Sequence, residues 1–599
     1  VERTTREDIL VYDMVHNNPG LAPYETQYNS PEFLKKRGYD GQVFDIFQCA
    51  QFGITWDYLD SKNPEREKVY LEGSKERIWA LEKQQELKKK YQAAKKIGLN
   101  VMFMMDIIVL PLRIKEIYSE ILNESGKIDI KKAETKEILD SLFNEMFHVF
   151  PEIDGIYIRF GETYVGEKFN TPYHFGNNPI LDSAEEYHIF LIQYLQEKVC
   201  NEYKRNIYYR SWGFGAFQFD PAYYLKISNS IEVNPKFYFC IKHTAGDFHR
   251  TFPFNQCLNI GKHKQVIEIQ AAREYEGKGA YPNYIGDGVI NGYEEFKWMM
   301  KENEAQCLKD VINLPDSLIA GVWTWSRGGG WDGPYINGKN GRNGEVVVAA
   351  GCELWPDANA YVILKWTKDT SHSEKYYALQ YAEMELHMSH KDAEIFYEIL
   401  LLSEKAVLLG RGTNTVKYDW DVFWTRDQNI EYSRMLSNIE SARKTECLDL
   451  MLNERKRSVD LWKNIVCLAE SLSESVEKKA YILTTCKYGF YLYSLYEVMY
   501  RGNALALEGG HKKEVASAIE EYEELWEKWK QLYETEEGCP TLYEKDDKFL
   551  DLMGYDWNKG FDSAINPIRK LDIEGNILPE NRIEISKEGT WGLTGKGLN

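Results

Sequence analysis

Eight short runs rich in β-branched and aromatic residues punctuate the chain before residue 330. Their rhythm restricts the fold more than any other feature. They are residues 9–14, 54–59, 101–109, 155–160, 207–212, 237–243, 266–270 and 319–325. They recur at intervals of roughly 30 to 55 residues, and several intervals carry helical periodicity, as in 67–97, 133–150 and 184–203. Strand followed by helix, eight times over, predicts a (β/α)8 TIM barrel. Most of the runs are nearly continuous in apolar residues, as parallel strands covered on both faces require. The competing architecture, a doubly wound open sheet, usually places Gly-x-Gly-x-x-Gly after its first strand. No such motif follows Met14.

Beyond residue 370 the strand pattern gives way to long helical patterns over 374–409, 426–472 and 475–507. The polar stretch Lys368-Asp369-Thr370-Ser371-His372-Ser373 marks the boundary. The expected organisation is a catalytic barrel over 1–370, an α-helical domain over 371–570 and a tail over 571–599 that is rich in Gly, Asn and charge. Ile519, Tyr522, Trp526, Trp529 and Tyr533 recur at three- and four-residue spacing, which lays an aromatic stripe along one helix. Such a stripe serves either as a seam for a partner or, more commonly, as packing against the helix's own neighbours.

Charge and composition narrow the function classes. Lys plus Arg number 73 against 93 Asp plus Glu, a formal net charge of −20, so a nucleic-acid or anionic-membrane surface is not expected. The longest near-apolar run, 101–112, is interrupted by Asp106 and falls short of the ~20 residues of a bilayer span. The ten cysteines include no Cys-x-x-Cys, and the 11 histidines include no His-Glu-x-x-His, so neither a metal nor a cofactor is expected. Cys240 reads as a small buried apolar residue. The chain opens on Val1 in polar sequence, which leaves the compartment open: periplasmic or secreted if a leader has been removed, cytoplasmic otherwise.

In a barrel, functional residues stand where strands end and βα loops begin. The fourth run ends in Arg159-Phe160-Gly161-Glu162, and the fifth in Arg210-Ser211-Trp212. The sixth ends in Lys242-His243, with Asp247 just beyond. The seventh leads through Gln270 to Arg273-Glu274-Tyr275, and the eighth through Trp323 and Trp325 to Gly328-Gly329-Gly330-Trp331. Three carboxylates, two cations and several tryptophans thus converge on one rim. Two carboxyls on opposite sides of a sugar, one protonated and one ionised, are the minimal equipment for glycoside hydrolysis. Tryptophans offer flat apolar faces for sugar rings. Cations at the same rim suggest an anionic substrate. On residue type alone, an equal alternative is that Arg210 and Lys242 pair with Glu162 and Asp247.

At these residues the chain resembles the α-glucuronidases of glycoside hydrolase family 67. The resemblance rests on Lys242 followed by Asp247-Phe248, then Glu268-Ile269-Gln270 leading to Glu274-Tyr275-Glu276-Gly277. Tyr209-Arg210 resembles a Trp-Arg pair upstream, and Phe160-Gly161-Glu162 resembles an Asp-Ser-Glu-Gly acid loop. Gly321-Val322, Trp331-Asp332-Gly333 and Asp357-Ala358-Asn359-Ala360-Tyr361 follow in order, ahead of Trp366. The likeness covers roughly residues 5 to 370. It implies a metal-free inverting enzyme acting on an α-linked uronic acid of a plant-type oligosaccharide. Glu162 would be the general acid, Asp247 and Glu274 the pair activating water, and Arg210 and Lys242 the clamp on the uronate. Arg159, Trp212 and Trp331 complete the expected substrate-binding set. The resemblance also implies a helical C-terminal domain through which a homodimer forms.

Three features depart from that family. Its members usually carry a β-rich domain ahead of the barrel, whereas strand one is expected here from about residue 9. Its strand-one His-Trp-Asp is replaced by His16-Asn17-Asn18, and its Lys four residues before the acid is replaced by Ile158, with Arg159 next to it. Two other readings therefore stand beside the first: a glycosidase for a different acidic or neutral sugar, and a carbohydrate-binding relative without turnover.

Overall fold

In the computed structural model the apolar runs close on themselves. β1 (Leu10–His16), β2 (Gly41–Phe44), β3 (Asn100–Asp106), β4 (Gly155–Arg159), β5 (Asn206–Arg210), β6 (Phe237–Lys242), β7 (Lys264–Ile269) and β8 (Ile319–Gly328) form a closed barrel in that order. Every neighbouring pair is parallel, and β8 completes the ring on β1 with Val11 opposite Val322. The structure describes residues 8–16, 26–160, 171–173, 185–212, 216–297, 304–328, 353–412, 423–424, 429–430, 432–536, 538–540, 542–548 and 559–579.

Seven strands fall on their predicted runs; the second does not. Residues 54–59 were expected as strand two, but β2 is Gly41–Phe44, and the apolar run turns into the helix Asp57–Lys62. The cause is Glu145, on the helix Ala133–Val149. Its carboxylate accepts from Thr55 N at 2.6 Å, Trp56 N at 3.0 Å and Tyr58 N at 3.2 Å. Backbone donors that a strand would give to its neighbour are taken by one buried side chain, and Trp56 adopts a left-handed φ of 67°. The true strand hides in sequence because it is four residues long and begins with glycine. That glycine is required, since a Cβ there would stand 2.6 Å from Asn100 O.

The helices follow their caps more closely than their periodicity. The pattern expected over 67–97 becomes the helix Lys75–Lys96, because Ser74 caps it by accepting from Arg77 N at 3.2 Å. Beyond the barrel, Glu374–Gln380, His390–Arg411, Tyr432–Lys444, Leu448–Ser471, Lys479–Glu508 and Lys512–Thr535 form a helical region. The aromatic stripe lies on Lys512–Thr535 and packs on its own neighbours. Trp529 is fully buried, with its ring centroid 5.0 Å from that of Tyr488 and 5.9 Å from that of Phe561.

The helical region packs directly on the loop after β7 and on the helix Leu354–Lys368 that follows β8. Tyr281 OH lies 3.2 Å from Tyr493 OH, Trp355 Nε1 donates to Thr485 Oγ1, and Tyr284 N donates to Ser403 Oγ. Among the described residues no helix is long and apolar enough to cross a membrane.

Candidate active site

Along a strand every second side chain faces the same way. In this barrel Tyr12, Met104, Tyr157, Tyr208, Cys240 and Trp323 point inward and form one buried cluster. Their alternates, such as Val11, Phe103, Ile156, Ile207, Phe239 and Val322, pack outward in a core shared with the helices. The inward series continues with Asp106 after Met104, Arg159 after Tyr157, Arg210 after Tyr208 and Lys242 after Cys240. On β7 it runs Val266, Glu268, Gln270. A ring of charge therefore sits on an apolar plug at the C-terminal mouth.

The charges are matched in pairs. Arg210 Nε and Nη2 each donate to Glu268 at 2.7 Å, and the guanidinium lies 5.4 and 5.2 Å from the rings of Trp323 and Trp325. Lys242 donates to Asp247 Oδ1, with its ammonium 3.4 Å from the centroid of Trp212 and 4.3 Å from that of Phe248. Arg159 stands 3.5 Å from Asp106.

Asp247 is held by its loop. Thr244 bridges Phe254, Ala245 N donates to Pro253 O, and Thr244 Oγ1 donates to Asp247 O at 2.9 Å. Gly246 permits the turn, because a Cβ there would strike the Phe252 ring at 2.4 Å. The carboxylate accepts from Lys242 Nζ and Phe248 N on Oδ1, and from Tyr275 OH at 2.5 Å on Oδ2. A carboxylate has about four acceptor directions, so three donors leave one for a further proton. Burial opposes ionisation of Asp247. The Lys242 ammonium, the neighbouring His249 and the bonds from Lys242 and Tyr275 overcome it and hold the carboxyl below the usual carboxylate range.

Glu274 sits on the next loop, anchored by Gln270 at the end of β7. Gln270 Nε2 donates to Glu274 Oε2 at 2.8 Å, and Glu274 N donates back to Gln270 Oε1 at 2.6 Å. Arg273, just before it, takes a left-handed φ of 55°, a conformation that costs a non-glycine residue about 1–3 kcal/mol. Arg273 offsets this by donating to Phe248 O at 2.7 Å and to Glu276, which ties the two loops together.

The opposite wall is aromatic. His16 stacks on Trp325 with centroids 5.6 Å apart, and the tilted ring of Phe47 lies 6.1 Å from His16. Asp45 Oδ2 is 3.9 Å from His16 Nδ1.

Of the expected site residues, Arg159, Arg210, Trp212, Lys242, Asp247 and Glu274 stand at strand ends and loops of this one mouth. Glu162 and Trp331 lie outside the described residues. Sequence reasoning left Glu268, Asp106, Asp45, Phe47 and Tyr275 without a role. The inward alternation through Met104 and Val266 was a readable signal for Asp106 and Glu268. Asp45 and Phe47 were hidden by the misplaced second strand. Among the described residues no group of three His, Cys, Asp or Glu side chains is arranged to hold a metal ion.

No protein-family model matches this chain, and no curated protein does. Solved structures similar to it include a GH138 enzyme targeting pectin rhamnogalacturonan II, at 11% identity and a TM-score of 0.46. That match covers 89% of this chain, which spans 62% of the other's length. A mutant of the Thermobaculum terrenum O-GlcNAc hydrolase matches at 11% identity and a TM-score of 0.37, over 88% of this chain and 90% of that one. The protein CpGH84D matches at 9% identity and a TM-score of 0.36, over 93% and 73% of the two chains.

Proposed function

We propose that the barrel mouth hydrolyses glycosides and removes an α-linked uronic acid, of the glucuronic or 4-O-methylglucuronic type, from plant-type oligosaccharides with inversion. The observation that carries this reading is Asp247: a buried carboxylate kept ionised by three donors, one of them Lys242, whose ammonium lies over Trp212 and Phe248, with Glu274 on the adjoining loop. Such a group takes a proton from water as the water attacks a sugar carbon. Glu162, which follows β4 in the chain, would protonate the leaving oxygen, and Glu274 would hold the same water. An inverting pair needs about 6.5–9.5 Å between its carboxyls, and non-adjacent strands four and six suit that gap. Lys242 and Arg210 would meet the uronate. The flat faces of Trp212 and Trp325 suit the apolar faces of a pyranose.

One observation favours a second reading. Arg210, Lys242 and Arg159 each already face a carboxylate, namely Glu268, Asp247 and Asp106. A mouth with its cations matched in this way suits a neutral sugar as well as an acidic one. A panel of aryl glycosides and glucuronoxylan oligosaccharides separates the two. Release of uronic acid alone supports the first reading, and release of a neutral sugar supports the second. Binding without any release would make the chain a carbohydrate-binding protein.

A further inference from the structure

The helix His390–Arg411 belongs to the helical region, yet its last residue reaches the barrel's catalytic loops. Arg411, 3% exposed, donates from Nη2 to the backbone carbonyl of Tyr275 at 2.8 Å. Tyr275 in turn stacks on His249, with centroids 4.0 Å apart and planes at 14°, and gives its hydroxyl to Asp247 Oδ2. The helix end is itself fixed. Arg455, from Leu448–Ser471, donates to Leu409 O at 2.7 Å and to Gly412 O at 2.6 Å. A second tie runs in parallel, since Arg250, on the loop of Asp247, is paired with Glu404 of the same helix and with Glu295.

From this geometry we infer that Arg411 is a positioning residue for Asp247, acting through Tyr275. The inference rests on the reading of Asp247 as the base. A hydrogen bond as short as 2.5 Å tolerates little displacement of its donor. The Tyr275 backbone is held by Arg411 on one side, and its ring by His249 on the other. The catalytic unit therefore includes the end of a helix 164 positions later in the chain than Asp247, counted as 411 minus 247. The groups facing Asp247 are Lys242 from β6, Arg210 from β5, His249 from its own loop and Tyr275 from the loop after β7. The charges that act on His249 besides Asp247 are Arg411, Arg273 and Arg434, the last from the helix Tyr432–Lys444.

The test is a double-substitution cycle in the full-length protein. It is read by carbon-13 NMR of aspartate side-chain carboxyls, with Asp247 assigned by its loss in Asp247→Asn. This readout needs no substrate, so it stands even if no sugar is released, an outcome that would overturn only the proposed function. Tyr275→Phe is expected to raise the Asp247 titration midpoint by about one pH unit, the loss of one hydrogen bond to a charged group. Arg411→Met is expected to raise it part of the way, and to add nothing in the Tyr275→Phe background. Arg411→Lys, which keeps the charge and a donor, should restore most of the wild-type midpoint. The proposal is overturned if Arg411→Met leaves the midpoint unchanged. It is equally overturned if the shift is as large without the Tyr275 hydroxyl, since the charge then acts through space. Arg411→Gln enters the same cycle if Arg411→Met does not fold. If neither folds, Arg411 is structural and the proposal falls.

Discussion

Arg210 and Glu268 meet across β6 in a two-bonded ion pair, with Nε and Nη2 each 2.7 Å from a carboxylate oxygen and both side chains almost wholly buried. Removing one partner leaves an uncompensated buried charge, whereas removing both leaves a cavity that apolar side chains fill. Arg210→Ala should therefore lower stability by about 3–5 kcal/mol. Arg210→Met combined with Glu268→Leu should recover most of that loss. Chemical denaturation measures both, and a double variant as unstable as the single one would show that the pair is not the source.

Lys242 divides the two substrate readings. If it meets a uronate, Lys242→Ala should cost about 2–5 kcal/mol in transition-state binding of an acidic substrate and much less for a neutral one. Specificity constants on a matched pair of glycosides give the answer. Equal losses on both would mean that Lys242 serves only to hold Asp247.

If Asp247 is the base, the same lysine should set the lower pH limit of activity. A base at Asp247 would have to be ionised, and its carboxyl lies below the usual range because Lys242 and its other partners outweigh burial. Its share of stability is present above the unfolded carboxylate value and is lost as pH falls through the lowered one. Lys242→Met should move the acid limb of kcat/KM to higher pH. An unmoved limb would assign that limb to another group.

A second buried carboxyl acts with the opposite sign. Burial pushes Asp13 up to about 7, against hydrogen bonds from Thr324 Oγ1 and Ser326 Oγ at 2.7 Å each. The native state therefore holds this proton more tightly than the unfolded chain, whose aspartate titrates near 3.8. Stability from this group is full below the unfolded value and declines as pH rises toward about 7. Asp13→Asn mimics the protonated form, so its Tm advantage over the wild type should grow across that window. Glu374, also pushed up to about 7 by burial, keeps its own share in both proteins. A constant Tm difference would refute the assignment.

The mechanism is tested by stereochemistry and leaving group. Proton NMR in the first minutes of turnover of an α-glucuronide should show the β-anomer, because a water between separated carboxyls attacks from the far side. Glu162→Gln should cripple substrates with poor leaving groups and spare activated ones, since only the former need a proton. An initial α-anomer would make Asp247 or Glu274 a nucleophile, and equal losses for all leaving groups would remove Glu162 from the role of acid.

The sequence by itself determined the barrel. Alternating strand and helix signals, and apolar runs such as 101–109 and 319–325, leave few other ways to bury both faces of a sheet. It also brought Arg210, Lys242, Asp247 and Glu274 to one rim, because position along a strand is a local property that order along the chain records. Tertiary structure alone decided which charge meets which. Arg210 was open to a substrate anion or to Glu162, and it takes Glu268, two strands away, because closure brings β5 and β7 within reach across the mouth. Strand two was misread because Glu145, from a distant helix, captures the backbone donors of residues 55, 56 and 58. Nothing local in a long amphipathic pattern marks Arg411 as the residue that reaches the Tyr275 carbonyl. Its contact comes from the packing of helices that sequence periodicity describes singly and never in pairs.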